Sequence, residues 1–206
     1  MSESLIQAVE KASSSEELVK AVWALSRSQS EAAIPMLIKV LGFNNPGAAI
    51  AAVEGLVQLG DVAVPTLISD LDGYDYGARA WAIRALSRIK HPQTLEILLD
   101  AATSDFSLSV RRGAAKGLGE LRWDQLSPEA RERVQQKVLE ALQTVAKDEE
   151  WIVRYAAIVG LESLARNAFA EEIREYLQQR LGVEADLTVR SRIQLTFDFI
   201  GKIGNQ

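Results

Sequence analysis

The chain has 206 residues, of which 48% are hydrophobic and 25% are charged, and its net charge at neutral pH is −5. This acidic balance argues against a nonspecific binder of nucleic acid or anionic lipid, because those ligands need a basic surface. The sequence contains no cysteine, and His91 is its only histidine. Disulfides and thiolate metal sites are therefore excluded, no metal centre is expected, and any thiol chemistry must use a thiol of another molecule.

The N-terminal segment, MSESLIQAVEKASSS, has no basic start followed by a long apolar run. No segment of the chain approaches the roughly 18 uninterrupted apolar residues that are typical of a membrane-spanning helix. We therefore expect a cytoplasmic protein with no membrane insertion.

From the N-terminus onward, the chain alternates between two kinds of predicted helix. Residues 1–30 are predicted to hold two short helices that form an N-terminal cap and a first repeat. The next helix, EAAIPMLIKVL at 31–41, is matched 30 residues later by VAVPTLISDL at 62–71. Pro35 and Pro65 hold equal places in the two copies. A proline is tolerated in the first turn of a helix, because the N–H groups there have no partner within the helix.

The second kind of helix repeats most clearly. In and just after DYGARAWAIRALSR, residues 75–88, the apolar residues Ala78, Ala82, Leu86 and Ile89 keep one face of a helix toward a core. The pattern recurs from Ala48, Val110, Val153 and Val189, with a weaker copy at Ala21–Leu25. Intervals of 31, 30, 32, 43 and 36 residues separate the anchors Leu25, Leu56, Leu86, Leu118, Leu161 and Phe197. They predict an all-α fold: a crescent-shaped α-solenoid of about five to six two-helix repeats, forming a single domain over residues 1–206.

The later part of the chain departs from this regular spacing. An extra polar segment within 123–147 predicts a long helix from Pro128. The glycines of GLGEL, residues 117–121, fall within a predicted helix and are interpreted as close-packing positions rather than a phosphate-binding loop. The terminal helix, within 187–206, has no second helix after it and more apolar residues than one face needs, so we predict that it contacts a partner; the alternative is a shorter cap. These apolar residues are Ile193, Leu195, Phe197, Phe199 and Ile200.

An arginine directly follows the first apolar residue of four of these helices. The four are Arg79, Arg111, Arg154 and Arg190. A guanidinium at that place, about 60° from the centre of the core face, can reach an acidic or carbonyl group of a neighbouring turn. Candidate acidic partners stand four to six residues earlier: Asp75, Asp105, Glu149 and Asp186. Because the feature recurs from unit to unit, it is interpreted as a structural arginine ladder rather than a ligand site.

Other positions break the symmetry of the repeat. Trp81 stands where other repeats carry small residues, which are Ala51, Gly113 and Ala156. On the helical wheel, several cations and aromatics project from the face opposite the core: Arg84, Arg112, Lys116, Trp123 and Tyr155. Such a mixture suits a planar, anionic ligand, because carboxylates pair with arginine and ring systems stack. The alternative is a solvated face with aromatic packing beneath the loops. Trp23 and Trp151 are predicted to be core residues.

A short loop ahead of Trp81 combines a carboxylate with two phenols. Tyr74, Asp75 and Tyr76 are candidates for acid, hydrogen-bonding or stacking groups, and together they are the best candidate catalytic site in the chain. The alternative is an ordinary polar loop.

Three strings of residues resemble a known family. SVRRGAAKGLGELRW and WIVRYAAIVGLESLA resemble the HEAT-like repeats of the phycobilin lyases. YDYGARAWAIRAL, together with the pair Arg122 and Trp123, is similar to the F-type subunit of the phycocyanin alpha-subunit phycocyanobilin lyase. The resemblance extends from about Leu18 to Ile203, and it implies that the predicted solenoid is HEAT-like.

This resemblance implies a cyanobacterial protein of phycobilisome assembly. Members form a heterodimer with an E-type lyase subunit, bind an open-chain bilin, phycocyanobilin, as substrate without a further cofactor, and join it by a thioether to a cysteine of the phycocyanin alpha subunit. The residues that would bind the chromophore are Trp81, Arg84, Arg112, Lys116, Trp123 and Tyr155. Asp75, with Tyr74 and Tyr76, would be catalytic. Two alternatives stay open: a relative that detaches or isomerises bilins, and a HEAT-like protein-binding scaffold.

Overall fold

A computed structural model describes residues 2–71 and 76–203, with only the backbone of Tyr76. Its described residues form twelve α-helices connected by loops and short 3₁₀ turns, with no β-strand among them. The all-α prediction is therefore confirmed. The helices are α1 Ser2–Lys11, α2 Ser15–Arg27, α3 Ile34–Leu41, α4 Pro46–Leu59, α5 Val64–Ser69, α6 Tyr76–Ile89, α7 Leu95–Ser104, α8 Leu108–Gly119, α9 Pro128–Val145, α10 Trp151–Ala165, α11 Ala170–Val183 and α12 Leu187–Ile203.

The chain divides into two compact units, residues 1–94 and 95–206. In the first unit, α1 packs on α2, α3 on α4, and α5 on α6; in the second, α7 packs on α8, α9 on α10, and α11 on α12. Within each unit the second helices of successive pairs also pack side by side. This gives six helix pairs, in agreement with the predicted two-helix repeats. That residues 1–206 form one domain stays a prediction.

Local sequence signals explain where several helices begin. The Asn45 side chain accepts a hydrogen bond from the Ala48 N–H at 3.0 Å and so caps α4. Ser127 caps the long helix α9 in the same way, with its Oγ 3.3 Å from the Ala130 nitrogen. Pro35 and Pro65 lie in the first turns of α3 and α5, as predicted.

The predicted anchor positions lie in the core. Leu25, Leu56, Leu86, Leu118 and Leu161 are fully buried. Phe197 is only half-buried. The periodic leucines therefore identify the inward face of each repeat, and the last repeat departs from the pattern.

Helices α8 and α10 approach each other closely because glycines line their contact. A Cβ on Gly119 would lie 2.0 Å from the Gly160 carbonyl oxygen, and one on Gly160 would lie 2.5 Å from the Ala115 carbonyl oxygen. No other residue can occupy these positions without moving a helix. The interpretation of GLGEL as a close-packing segment agrees with this contact at Gly119.

The apolar side chains of the terminal helix α12 are more buried than its sequence predicts. Ile193 and Ile200 are buried, and Phe199 is half-buried beneath the Arg166 guanidinium, which lies 4.6 Å from the ring centroid. Leu195 is 56% exposed. The role of residues 187–206 as a partner contact stays a prediction, and residues 204–206 lie outside the described part of the chain.

The exposure of Trp151 contradicts one prediction. This residue was expected in the core, but it is the first residue of α10 and is 42% exposed. Its position at the start of a helix places it on the edge of the repeat, where no preceding turn covers the indole. Trp23 is half-buried, with the Arg27 guanidinium 5.7 Å from its ring centroid.

The segment Pro46–Ser69 is long and apolar enough to cross a membrane by length and composition alone. It consists of α4, a 3₁₀ turn and α5, and half of its most apolar window is buried inside the protein. Core helices of soluble proteins satisfy the same criterion, so this is weak evidence for a membrane span.

Candidate functional site

The arginine ladder joins successive repeats of the second unit. The Arg111 Nε and Nη2 atoms donate to the two carboxylate oxygens of Asp148 at 2.9 and 3.3 Å, and Nη1 donates to the Asp105 carbonyl oxygen at 2.8 Å. Arg154 repeats the arrangement with the two oxygens of Glu184, at 2.8 and 2.7 Å. Each arginine therefore holds the acidic loop that precedes the second helix of the next pair.

Glu184 is the most buried acid of this ladder, with its side chain 2% exposed. Burial favours its neutral form, but hydrogen bonds from Arg154 and from the Asp186 N–H outweigh that effect and lower the pKa of Glu184. Arg190 donates to the carbonyl oxygens of Leu181 and Glu184 at 2.8 and 2.9 Å. These contacts support a structural role for Arg111, Arg154 and Arg190; Arg79, half-buried in α6, is predicted to share it.

Two of the predicted acidic partners are wrong. Glu149 is exposed and offers Arg154 its backbone carbonyl oxygen, at 2.9 Å. The Asp186 carboxylate accepts hydrogen bonds from the N–H groups of Thr188 and Val189, at the start of α12. The carboxylates that bind Arg111 and Arg154 are those of Asp148 and Glu184, which belong to the next repeat. Each stands six residues before the arginine of its own repeat, in a loop that reaches the neighbouring helix pair.

Tyr74 and Asp75 lie outside the described residues, as does the side chain of Tyr76. In sequence register, Asp75 stands four residues before its repeat's arginine, the position that Ser107, Glu150 and Asp186 hold in later repeats. These three residues directly precede α8, α10 and α12, and the side chain of Asp186, unlike those of Ser107 and Glu150, caps its helix. Equivalence to Asp186 therefore offers a second interpretation of Asp75, as a helix cap.

In the first unit, one predicted aromatic lies beside one predicted cation. Trp81 is half-buried, Arg84 is exposed, and the Arg84 guanidinium carbon lies 5.4 Å from the Trp81 ring centroid. One turn further on, Arg88 binds both carboxylate oxygens of Glu54 from α4. The Arg88 hydrogen bond is the main cause that lowers the pKa of Glu54.

In the second unit, three cations form what we call the cationic face: Arg112 and Lys116 on α8, and Arg192 on α12. Arg112 and Lys116 are exposed. Partial burial and the positive charges of Arg112 and Arg192 lower the pKa of the Lys116 amine, against an opposing effect of Glu120. Positive groups that lower one another's pKa in this way are stabilised by a bound anion. Tyr155 lies half-buried on α10, the helix between them.

Arg192 was missed by sequence reasoning. It pairs with Glu162 of α10, whose carboxylate also accepts a hydrogen bond from Thr196 at 3.1 Å. The Arg192 Nε atom is buried and has no hydrogen-bond partner in the part of the chain that the structure describes. The repeat register would have identified Arg192, because it holds the same position in its helix as Trp81 and Gly113. At Gly113 a Cβ would meet nothing within 4 Å, so this position is open.

Trp123 does not lie on this surface. It was predicted to project from the face opposite the core, but it is 6% exposed. Its backbone carbonyl oxygen accepts a hydrogen bond from Arg131 Nε at 2.9 Å, and its indole Nε1 has no partner among the described residues. The indole is buried, so it cannot stack on a ligand at the surface as the unit stands.

The side chains of the cationic face, Trp81 and Tyr155 have the chemistry of ligand binding. Within residues 2–71 and 76–203, no group of three or more histidine, aspartate or glutamate side chains could hold a metal ion. Arginine and lysine on the cationic face can bind carboxylates, and Trp81 and Tyr155 can contact flat rings, each within its own unit.

Comparison with known proteins accounts for this architecture. The family model of HEAT repeats matches residues 2–72 and 64–136. The phycocyanin alpha phycocyanobilin lyase CpcF of Synechocystis sp. PCC 6803 is 50% identical over 203 residues, which cover 98% of this chain and 95% of that protein. The chain belongs to the CpcF family of phycocyanobilin lyase subunits.

Further members agree with this assignment. A phycocyanobilin lyase subunit beta of Nostoc sp. PCC 7120 is 47% identical, over 95% of this chain and 98% of that protein. The solved complex of CpcE and CpcF from Nostoc sp. PCC 7120 contains a chain that is 48% identical, with a TM-score of 0.78, over 81% of this chain and 99% of that one. The family resemblance and the HEAT-like fold predicted from the sequence are both confirmed.

Proposed function

We propose that this chain is the F-type subunit of a heterodimeric bilin lyase. With an E-type partner it binds phycocyanobilin and attaches it through a thioether to a cysteine of the phycocyanin alpha subunit. The observation that carries this proposal is the 50% identity to a phycocyanin alpha phycocyanobilin lyase over 98% of the chain. The solved complex of CpcE with a chain 48% identical to this one supports the heterodimer.

The cationic face fits the acidic groups of such a substrate. A bilin carries two propionate carboxylates on a long conjugated system, and arginine and lysine pair with carboxylates. We assign the carboxylates to Arg112, Lys116 and Arg192, with Tyr155 beside the rings. In the first unit, Trp81 and Arg84 are candidates for contact with a bilin. Phycocyanobilin is then the substrate, and the reaction takes place in the cytoplasm.

The proposed reaction adds a thiol across the ethylidene double bond of the bilin. The sulfur of the acceptor cysteine bonds to the ethylidene carbon, and the tetrapyrrole takes up one proton. The chain has no cysteine of its own, and in this scheme the thiol belongs to the acceptor. Holding the ethylidene carbon toward the incoming thiolate can lower the barrier by several kcal/mol, up to about 11 at best.

Delivery of the proton calls for a general acid. We propose Asp75 for this role, with Tyr74 and Tyr76 as hydrogen-bonding groups. The helix-cap interpretation of Asp75 predicts a different result on mutation, so the two roles can be separated by choice of variant.

Reconstitution tests the function as a whole. The chain is produced together with an E-type subunit, the phycocyanin alpha subunit and a source of phycocyanobilin, and covalent bilin is detected by zinc-enhanced fluorescence after denaturing electrophoresis. We expect fluorescence on the alpha subunit only when both lyase subunits are present. Soluble components without any adduct would move the assignment to a scaffold, and loss of bilin from a preformed adduct would indicate a detaching enzyme.

Asp75→Asn and Asp75→Ala form a matched pair of variants. Asparagine caps a helix about as well as aspartate does, as Asn45 does for α4, whereas alanine costs roughly 1 kcal/mol at such a position. If the carboxyl group is the acid, both variants lose bilin transfer by about 100-fold or more. If Asp75 only caps a helix, Asp75→Asn keeps full transfer and only Asp75→Ala lowers the melting temperature.

A further inference from the structure

An exposed apolar row runs along one edge of the second unit. Leu108, Trp151 and Leu187 are the first residues of α8, α10 and α12, and they are 40%, 42% and 77% exposed. Val183, at the end of α11, adds a fourth apolar side chain that is 71% exposed. We call these four residues the apolar edge. Large apolar side chains grouped on a surface mark interaction sites more often than single ones do.

The row follows from the repeat register. Leu108, Trp151 and Leu187 each stand three residues before a ladder arginine, and α8, α10 and α12 pack side by side. Equivalent positions on adjacent, similarly oriented helices lie next to one another. The row is therefore a repeated feature of this unit rather than a chance grouping.

The ladder fixes the backbone behind this row. Arg111 holds Asp148 in the loop that leads to Trp151, and Arg154 holds Glu184 in the loop that leads to Leu187. A surface that is already ordered loses little conformational entropy when it binds. The apolar edge is thus preorganised for a partner.

Acidic groups border the edge. Glu149 and Glu150 are exposed immediately before Trp151. Between the α7–α8 and α9–α10 loops lies a groove of about 320 Å³, lined by Phe106, by three acidic residues and by the cations Arg111 and Lys147. Acidic side chains outnumber basic ones along this border, and such an acidic rim around apolar side chains favours a partner surface that is apolar at its centre and basic at its border.

The spacing of the row indicates what kind of partner fits. Side chains on neighbouring packed helices lie about 8–10 Å apart. Successive turns of one helix are spaced by only about 5.4 Å, and alternate residues of a strand by about 6.6 Å. A partner that is itself built of stacked helices presents side chains at the same interval as the row.

We propose that the apolar edge binds the E-type lyase subunit, through the ends of that subunit's own stacked helices. The identity of the partner rests on the proposed function. The four side chains offer on the order of 400 Å² of largely apolar surface, about half of the roughly 800 Å² that each partner contributes to a standard interface. The edge is the centre of the contact, and the acidic rim surrounds it.

The test measures the affinity of the full-length chain for an E-type subunit by isothermal titration calorimetry. The double variant Trp151→Ser and Leu187→Ser removes two members of the row. The matched control, Ile50→Ser and Val62→Ser, removes apolar side chains of the first unit that are 42% and 46% exposed. We expect the dissociation constant to rise at least about 30-fold for the edge variant and less than about 3-fold for the control. Circular dichroism and the melting temperature, measured for both variants, verify that they fold like the wild type.

Each other outcome contradicts a different statement. If the wild-type chain does not bind the E-type subunit, the heterodimer itself is refuted, and this proposal with it. If the wild type binds and the edge variant binds equally well, the apolar edge is not the interface, while the lyase assignment stands. If the edge variant binds the E-type subunit normally but no longer transfers bilin, the edge receives the acceptor subunit instead, and the proposal is overturned.

Discussion

On the side that faces α8, helix α10 packs backbone against backbone, whereas on the side that faces α12 it uses charged side chains. Gly119 and Gly160 leave no room for a Cβ at the first contact. At the second, Glu162 binds Arg192 and Thr196. Arg192 itself holds the register position of Gly113 in α8 and of Ala156 in α10, so a small residue is replaced by an arginine in the last repeat.

This difference separates packing from function. Close approach of two helices buries the most surface and gains the most van der Waals contact. The ion pair between α10 and α12 does not provide such close packing, and buried ion pairs contribute little net stability. Arg192 is therefore better explained by its place on the cationic face, beside Lys116, than by stability.

The glycine contact supplies the largest expected effect. Gly119→Ala forces α8 and α10 apart, so we expect the free energy of unfolding to fall by about 3 kcal/mol. Gly113→Ala is the control on the same helix, where a Cβ meets nothing within 4 Å and alanine gains about 0.5–1 kcal/mol in helix propensity. Chemical denaturation of the two variants measures both changes. Equal stabilities would contradict the close packing of these helices.

The ionic contact is expected to have a smaller effect. Glu162→Gln leaves Arg192 without a carboxylate partner at a site about 15% exposed, and we expect a loss of about 1–2 kcal/mol. The double variant Glu162→Gln and Arg192→Gln should recover part of this loss, because no charge is left unpaired. A double-mutant cycle measures the coupling between the two side chains. A coupling energy of zero would show that the pair does not hold α12.

Because the pKa of Glu184 is lowered in the folded protein, we expect the free energy of unfolding to depend on pH. Because its folded pKa lies below the ordinary value of 4.5, its contribution to stability is complete above that pH and is lost as the pH falls through the lowered value. Acid titration followed by circular dichroism should therefore show a smaller loss of stability for Glu184→Gln than for the wild type. Parallel acid transitions in the two proteins would exclude this contribution.

The sequence predicts the repeated features of this fold well. Periodic leucines, prolines in equal places and a recurring arginine are each repeated, so register alone identifies the buried face and the ladder. Prediction from the register fails where a contact is made by a residue of the neighbouring repeat. The carboxylates that hold Arg111 and Arg154 come from the next loop, which a search within one repeat does not reach.

Single aromatic residues are the least predictable part of the candidate site. Trp151 and Trp123 exchange their expected environments, one exposed and the other buried. An aromatic side chain suits both a core and a binding surface, and only the tertiary position of its helix end or loop decides between them. Arg192 shows the opposite case, since its register position alone would have identified it.

The cationic face is proposed to bind the propionate carboxylates of the bilin. The decisive measurement titrates phycocyanobilin and its dimethyl ester against the assembled lyase and follows the absorbance of the pigment. We expect the free acid to bind at least about 10-fold more tightly than the ester, and the double variant Arg112→Gln and Lys116→Gln to remove most of that difference. Equal affinities of acid and ester for the wild-type complex would contradict the assignment of this face.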